Sequence, residues 1–165
     1  MRTLIFDEIR GEPAMIMLGQ ACATAWKAVA DGRGMFVHLR GDLGAGKTTL
    51  VRAWLRGLGH QGAVRSPTYT LIEPYELDTG PGYHLDLYRL GDPEELEYLG
   101  LRDLLEVPAL CLVEWPERGV GVLPPADLTI AIEHTGEARK LGLQTSSHIA
   151  ESFVSSLRDI SHAGF

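Results

Sequence analysis

Apolar positions recur along this chain with two different periods, and the changes of period locate its elements. RTLIF (2–6) reads as a short strand. Residues 13–30 hold the apolar stretch AMIMLGQACATAWKAVA, broken by Gln20 and Lys27, and read as a buried helix opened by Pro13 and ended by Asp31-Gly32. MFVHLR (35–40) reads as a strand entering a glycine-rich loop. In the next helix, 47–58, Leu50, Val51, Trp54, Leu55 and Leu58 share one face, with Arg52 and Arg56 opposite.

The second half favours the strand period. HQGAVRSPTYT is a loop, and TLIEPYEL and YHLDLYRL, joined by DTGPG, read as a β-hairpin. Asp92 caps a short acidic helix, PEELEYL, and 101–106 continue as a helical turn. ALCLVEW has the continuous apolar run of a strand buried on both faces, and PERGVGVLPP is a turn-rich connection. DLTIAIEH and EARKLGLQT form a second hairpin around Thr135-Gly136. Residues 147–158 read as a weak terminal helix followed by a loose tail. Strand-loop-helix units mixed with hairpins predict a three-layer α/β domain with a mixed, partly antiparallel central sheet. Residues 1–145 form that single domain, and 146–165 are its C-terminal helix and tail.

Composition narrows the function classes. A chain of 165 residues suits one domain, and 45% apolar with 22% charged residues is an ordinary globular balance. The net charge of −7 argues against a protein that binds nucleic acid by itself, since phosphate contacts need clustered Lys and Arg. Lys27, Lys47 and Lys140 are the only lysines. Cys22 and Cys111 stand apart in apolar surroundings, without metal-ligand or redox spacing, and read as reduced buried thiols. MRTLIFDEIRGE meets acids directly after its short apolar run and is not expected to be a signal peptide. A cytoplasmic protein with no membrane association is expected.

One of the three lysines lies in GDLGAGKTTL (41–50), which contains G-x-x-x-x-G-K-[ST] after a strand and at the start of a helix, the context a phosphate-binding P-loop requires. Gly44 and Gly46 permit backbone angles that turn successive N–H groups toward a phosphate. The helix start aims its free N–H groups at the same anion. Lys47 can reach the β- and γ-phosphates, and the Thr48 hydroxyl can ligate Mg²⁺.

The loop names a ligand and leaves the reaction open. Glu114 ends the apolar run of ALCLVEW, the Walker B arrangement with Glu for the commoner Asp. Asp86 lies within YHLDLYRL, where His84, Asp86 and Tyr88 share one strand face. Two readings of Asp86 stand: it positions water or a metal-bound water, or it pairs with Arg89 or Arg65 in a structural role. Ser66-Pro67-Thr68 lies where P-loop switches sense a γ-phosphate. A guanine reader of the Asn-Lys-x-Asp type is excluded, because the chain has no asparagine. A small-molecule kinase remains the alternative, with Arg118 and Arg139 as lid candidates although no arginine cluster is visible.

In this order, GDLGAGKTTL, SPTYTLIEPY, YHLDLYRL with DPEELE, and LVEWPE resemble the TsaE (formerly YjeE) family, over about residues 30–145. These are bacterial P-loop ATPases needed to make threonylcarbamoyladenosine in tRNA. The resemblance implies a P-loop NTPase-like fold. It implies that Asp42, Leu43, Gly44, Ala45, Gly46, Lys47, Thr48 and Thr49 hold ATP and that Thr48 and Glu114 attend to Mg²⁺. Asp86 would be the catalytic acid near the γ-phosphate, acting with Lys47, and Trp115 would sit beside the site. Glu12 and Arg139 would touch the nucleotide. The implied partners are TsaD and TsaB, which perform the threonylcarbamoyl transfer, with tRNA reached through that complex. Arg52 and Arg56 are either a docking contribution or a solvated helix face.

Overall fold

The computed structural model describes residues 1–64, 67 and 69–164 of the 165. Among them the order is β1 (Thr3–Arg10), α1 (Gly11–Val29), β2 (Met35–Arg40), α2 (Lys47–Gly57), β3 (Ile72–Leu77), β4 (Gly80–Asp86), α3 (Glu95–Tyr98), α4 (Leu101–Leu104), β5 (Leu110–Glu114), β6 (Leu128–Thr135), β7 (Ala138–Thr145) and α5 (His148–Gly164). A 3₁₀ turn, Pro116–Gly119, follows β5. No helix among the described residues is long and apolar enough to cross a membrane.

One seven-stranded sheet of order β1-β7-β6-β2-β5-β4-β3 forms the middle layer. Its centre, β6-β2-β5-β4, is parallel, and antiparallel pairs extend it at both edges. The central strands are buried on both faces, which is why MFVHL and ALCLV read as continuous apolar runs. Met35, Val37, Leu39, Leu110 and Leu112 face α1, α2 and α5, whereas Phe36, Cys111 and Val113 face Leu96 of α3 and Leu101 of α4. The expected three-layer α/β architecture with a mixed sheet is therefore present.

The helix carrying the glycine loop is fixed by a close crossing. A Cβ on Gly19 of α1 would lie 2.5 Å from the Ala53 Cβ and 2.9 Å from the Leu50 carbonyl oxygen of α2. Glycine there lets the two backbones meet, so α2 cannot slide along its axis without meeting α1.

Several expected boundaries differ. β1 runs to Arg10 rather than ending at Phe6, through a register shift between Phe6 and Ile9. The extra residue moves the inward face from Leu4 and Phe6 to Ile9, which breaks the alternation that marks a strand. α1 accordingly begins at Gly11, two residues before Pro13. The first hairpin turns on Asp78-Thr79 alone, because Gly80 already pairs with Leu77. β4 stops at Asp86 and does not include Leu87–Leu90. Its neighbour β5 ends at Glu114, and Trp115 turns away with φ of 57°.

α5 is neither weak nor followed by a loose tail within the described residues: it is helical to Gly164 and buries Ala150, Phe153, Val154 and Leu157. Phe153 stacks on Trp54 of α2 with ring centroids 5.2 Å apart and planes 7° apart. Its Ser-rich sequence has poor intrinsic propensity, and tertiary packing of its apolar stripe supplies the stability.

Candidate functional site

Because β2, β5 and β4 are parallel neighbours, their C-terminal ends emerge on one edge of the sheet, where open α/β sheets bind ligands. Leu39 pairs with Glu114, and Glu114 pairs with Asp86. The two carboxylates therefore start about 4.8 Å apart, the spacing of adjacent strands. Immediately beyond β2, residues 41–46 form the glycine loop, with Gly44 at φ of 79° and Gly46 at 110°. Those angles are left-handed and turn the chain so that α2 begins at Lys47.

The Lys47 side chain folds back along its own loop. Its Nζ donates to the Gly41 carbonyl and, at 3.1 Å, to the Asp42 carbonyl. It also lies over the Trp115 ring, 4.1 Å from the centroid. Burial lowers the lysine pKa from its usual value, opposed by the negative charges of Glu114, Asp86, Glu117 and Asp42. A buried cation ringed by carbonyls and acids is suited to an incoming anion.

Beside it, the Thr48 hydroxyl donates to Glu114, with oxygens 2.9 and 3.2 Å away. Asp86 is buried, and its Oδ1 accepts the Tyr88 N–H at 3.1 Å. A hydroxyl, Glu114 and Asp86 on one edge form an all-oxygen donor set. It fits a hard divalent cation that takes its remaining ligands from water and phosphate. Among the described residues no group of three or more His, Cys, Asp and Glu is arranged to hold a metal by itself.

These residues line a cleft of about 400 Å³ that includes Leu43, Gly44, Ala45, Gly46, Lys47, Thr48, Thr49, Asp86, Glu114 and Trp115. Leu43 is exposed at its rim, and Asp42 contributes through its carbonyl, which also accepts the Ala45 N–H at 3.0 Å. A second cleft of about 230 Å³ lies behind the same loop and contains Glu12, Thr49 and Arg139 with Gly44, Ala45 and Gly46. The β1–β7 pairing explains this meeting. Arg10 pairs with Ala138 and Ile9 with Arg139, so the first turn of α1 emerges beside Arg139. Arg139 Nε donates to the Ala45 carbonyl at 3.2 Å, tying β7 to the loop.

The residues expected to touch the nucleotide or its Mg²⁺, together with Asp86, thus border one of two clefts sharing the loop, or belong to the loop itself. Asp86 sits at the strand end opposite Glu114 rather than mid-strand. Of its two suggested arginine partners, Arg89 has its guanidinium over the Tyr69 ring, 5.0 Å from the centroid, and Arg65 lies outside the described residues. Ser66 and Thr68 of the suggested switch also lie outside them. The two lid candidates stand apart: Arg118 lies over the Tyr88 ring, 5.4 Å from its centroid, and Arg139 is at Ala45. Burial pushes both thiols up, Cys111 to about 12, in keeping with inert core cysteines.

One residue of the site does not stand out in the sequence. His84 is fully buried, and its Nε2 lies 2.6 Å from Glu114 Oε2. The signal in the sequence is its i, i+2 relation to Asp86, which places both on one strand face. The partner comes from the β4–β5 register, which is not local in sequence.

A family model described as Threonylcarbamoyl adenosine biosynthesis protein TsaE matches residues 10–141. A tRNA threonylcarbamoyladenosine biosynthesis protein TsaE of Haemophilus influenzae is 44% identical over 147 residues, which cover 89% of this chain and 93% of that protein. The protein of the same name from Bacillus subtilis is 42% identical over 104 residues, covering 63% of this chain and 65% of its own. The crystal structure of Bacillus subtilis YdiB matches at a TM-score of 0.77 with 28% identity, covering 97% of both chains.

Proposed function

The chain belongs to the TsaE family of tRNA threonylcarbamoyladenosine biosynthesis proteins, and from that premise we propose that it is a Mg²⁺-dependent ATPase. In this reading it hydrolyses ATP in the cytoplasm to support a TsaD–TsaB complex and does not itself transfer the threonylcarbamoyl group. The carrying observation is the convergence of Lys47, Thr48, Asp86 and Glu114 in one cleft at the C-terminal edge of the parallel strands.

Each residue has a task its surroundings permit. The loop amides and the start of α2 bind the phosphates, and Lys47 exchanges carbonyl partners for phosphate oxygens. Thr48 and Glu114 hold the Mg²⁺ side of the nucleotide. A divalent cation held there would supply charge neutralisation for the phosphate oxygens as negative charge develops on them. Asp86, one strand over from Glu114, accepts a proton from the attacking water or orients it. Trp115 covers Lys47 and keeps water from that side of the phosphates. Glu12 and Arg139 contact the nucleotide from the second cleft, behind the loop.

The test is ATP hydrolysis by the purified chain alone and after addition of TsaD and TsaB. Slow turnover that rises sharply with the partners is expected of a switch. Turnover indifferent to the partners would count against the complex-supporting role, and transfer of phosphate to an added acceptor would favour a kinase.

A further inference from the structure

The Glu114 carboxylate is held from two directions. Thr48 approaches from α2, and His84 approaches from β4, with Nε2 at 2.6 Å from Oε2. Both members of the second contact are sequestered, with side-chain exposures of 0% for His84 and 3% for Glu114. An ionised carboxylate accepts only, so the ring nitrogen facing it carries the hydrogen. The other nitrogen, Nδ1, is buried without a hydrogen-bond partner among the described residues. A second hydrogen there would be an orphaned donor in the core. The contact is therefore one hydrogen bond, from an Nε2–H imidazole to Glu114 Oε2.

The place of His84 in the sheet gives this bond a direction. His84 pairs with Leu112, and Asp86 pairs with Glu114, so the imidazole lies one pleat below the two carboxylates. From there it can touch Glu114 while standing under the floor of the cleft, which it does not line. We propose that His84 is a positioning residue for the Mg²⁺ side of the nucleotide site. Its Nε2–H fixes the rotation of the Glu114 carboxylate, leaving Oε1 turned to the Thr48 hydroxyl. This inference rests on the Mg-ATP reading above and adds to it the group that orients its acid. Partners that orient ligand side chains in this way are worth roughly 10–100-fold in metal affinity or activity.

The test uses the full chain and two variants, His84→Leu, which removes the donor, and His84→Gln, whose amide N–H reaches the place of Nε2. ATP affinity is measured by calorimetry in EDTA, and the Mg²⁺ concentration for half-maximal hydrolysis is measured separately. Nitrogen-15 spectra of the histidine-labelled wild-type chain report the tautomer without any substitution. The expected results are an Nε2–H pattern for His84 and unchanged ATP affinity in EDTA for His84→Leu. Its Mg²⁺ requirement should rise roughly 10–100-fold, and most of that rise should be absent in His84→Gln. In a wild-type chain that turns over Mg-ATP, an Nδ1–H pattern overturns this inference alone. So does a Leu variant with the wild-type Mg²⁺ requirement. Should the Leu variant fail to fold, a Gln variant shifted by tenfold or more overturns it equally. A wild-type chain that takes no Mg-ATP overturns the parent reading and this inference with it.

Discussion

Lys47 is the side chain with the largest expected effect on binding, because its ammonium is already confined between two loop carbonyls and the Trp115 ring. Lys47→Ala removes the only lysine of the loop and should abolish ATP binding detectable by calorimetry. Asp86→Ala should leave that binding intact and lower turnover by roughly 10²–10⁴-fold, the range for a lost proton-transfer group. A hydrolysing Asp86 variant would return Asp86 to a structural role. The cysteines give a test independent of the ligand. Cys111 is pushed up from 9.0 to about 12 by burial, and Cys22 is raised by the same cause. A thiol pKa raised in the folded state adds stability that is full below pH 9 and is lost progressively as pH rises from 9 toward 12 for Cys111. At pH 8, Ellman's reagent should therefore react with neither thiol in the folded chain and with both in guanidinium. Lys47 and Thr48 were legible because their chemistry is written in eight consecutive positions. Glu114 and Asp86 were legible as acids in apolar runs, but their pairing was not, and neither was the His84 bond to Glu114. Both depend on the β4–β5 register, which joins segments about thirty residues apart and leaves no local trace.

At the scale of elements, the pattern located the central strands and α2 closely, since burial on both faces and a wide apolar stripe are strong signals. The failures have separate causes. The bulge in β1 switches which residues face inward, so the strand loses its alternation at Asp7 and Glu8 although pairing resumes at Ile9. The strand β4 ends where its neighbour ends, a matter of sheet geometry rather than of Leu87 or Tyr88. In α5, serines lower the propensity while Phe153, Val154 and Leu157 pack into the core, and packing wins. That last point carries a prediction. Phe153→Ala deletes a ring stacked on Trp54, and Trp54 stands on the same helix that presents Lys47 and Thr48 to the cleft. The loss should be about 3–5 kcal/mol, read from the midpoint of urea unfolding. The folded fraction should still bind ATP, because the stack lies on the buried side of α2, away from the residues lining the cleft. A stability change under about 1 kcal/mol would mean that α5 packs loosely against α2 and contributes little to holding it.

Over the whole molecule, charge divides the labour. The chain carries 15 basic and 22 acidic residues, a net of −7, while its conspicuous cations are committed to contacts within or beside the clefts. Lys47 is in the loop, Arg139 is bonded to Ala45, and Arg89 and Arg118 lie over Tyr69 and Tyr88. Arg52 also has a local task, donating from Nε to the Val64 carbonyl at 3.2 Å, and Arg56 next to it is exposed. Affinity for a nucleic acid rises with the number of phosphates neutralised, and its salt dependence steepens with the same number. If the proposed complex forms, a chain of net charge −7 would leave the phosphate contacts to its partners. Filter binding of labelled tRNA should therefore show no association with this chain alone tighter than the non-specific range, about 10⁻⁴–10⁻⁶ M at physiological salt. Adding the chain to TsaD–TsaB should leave the salt slope of tRNA binding by that complex unchanged. A slope steeper by one or more would assign phosphate contacts to this subunit. Arg56→Ala, then Arg52→Ala, would be the variants that locate them, since these two arginines lie on the face of α2 turned away from its core side.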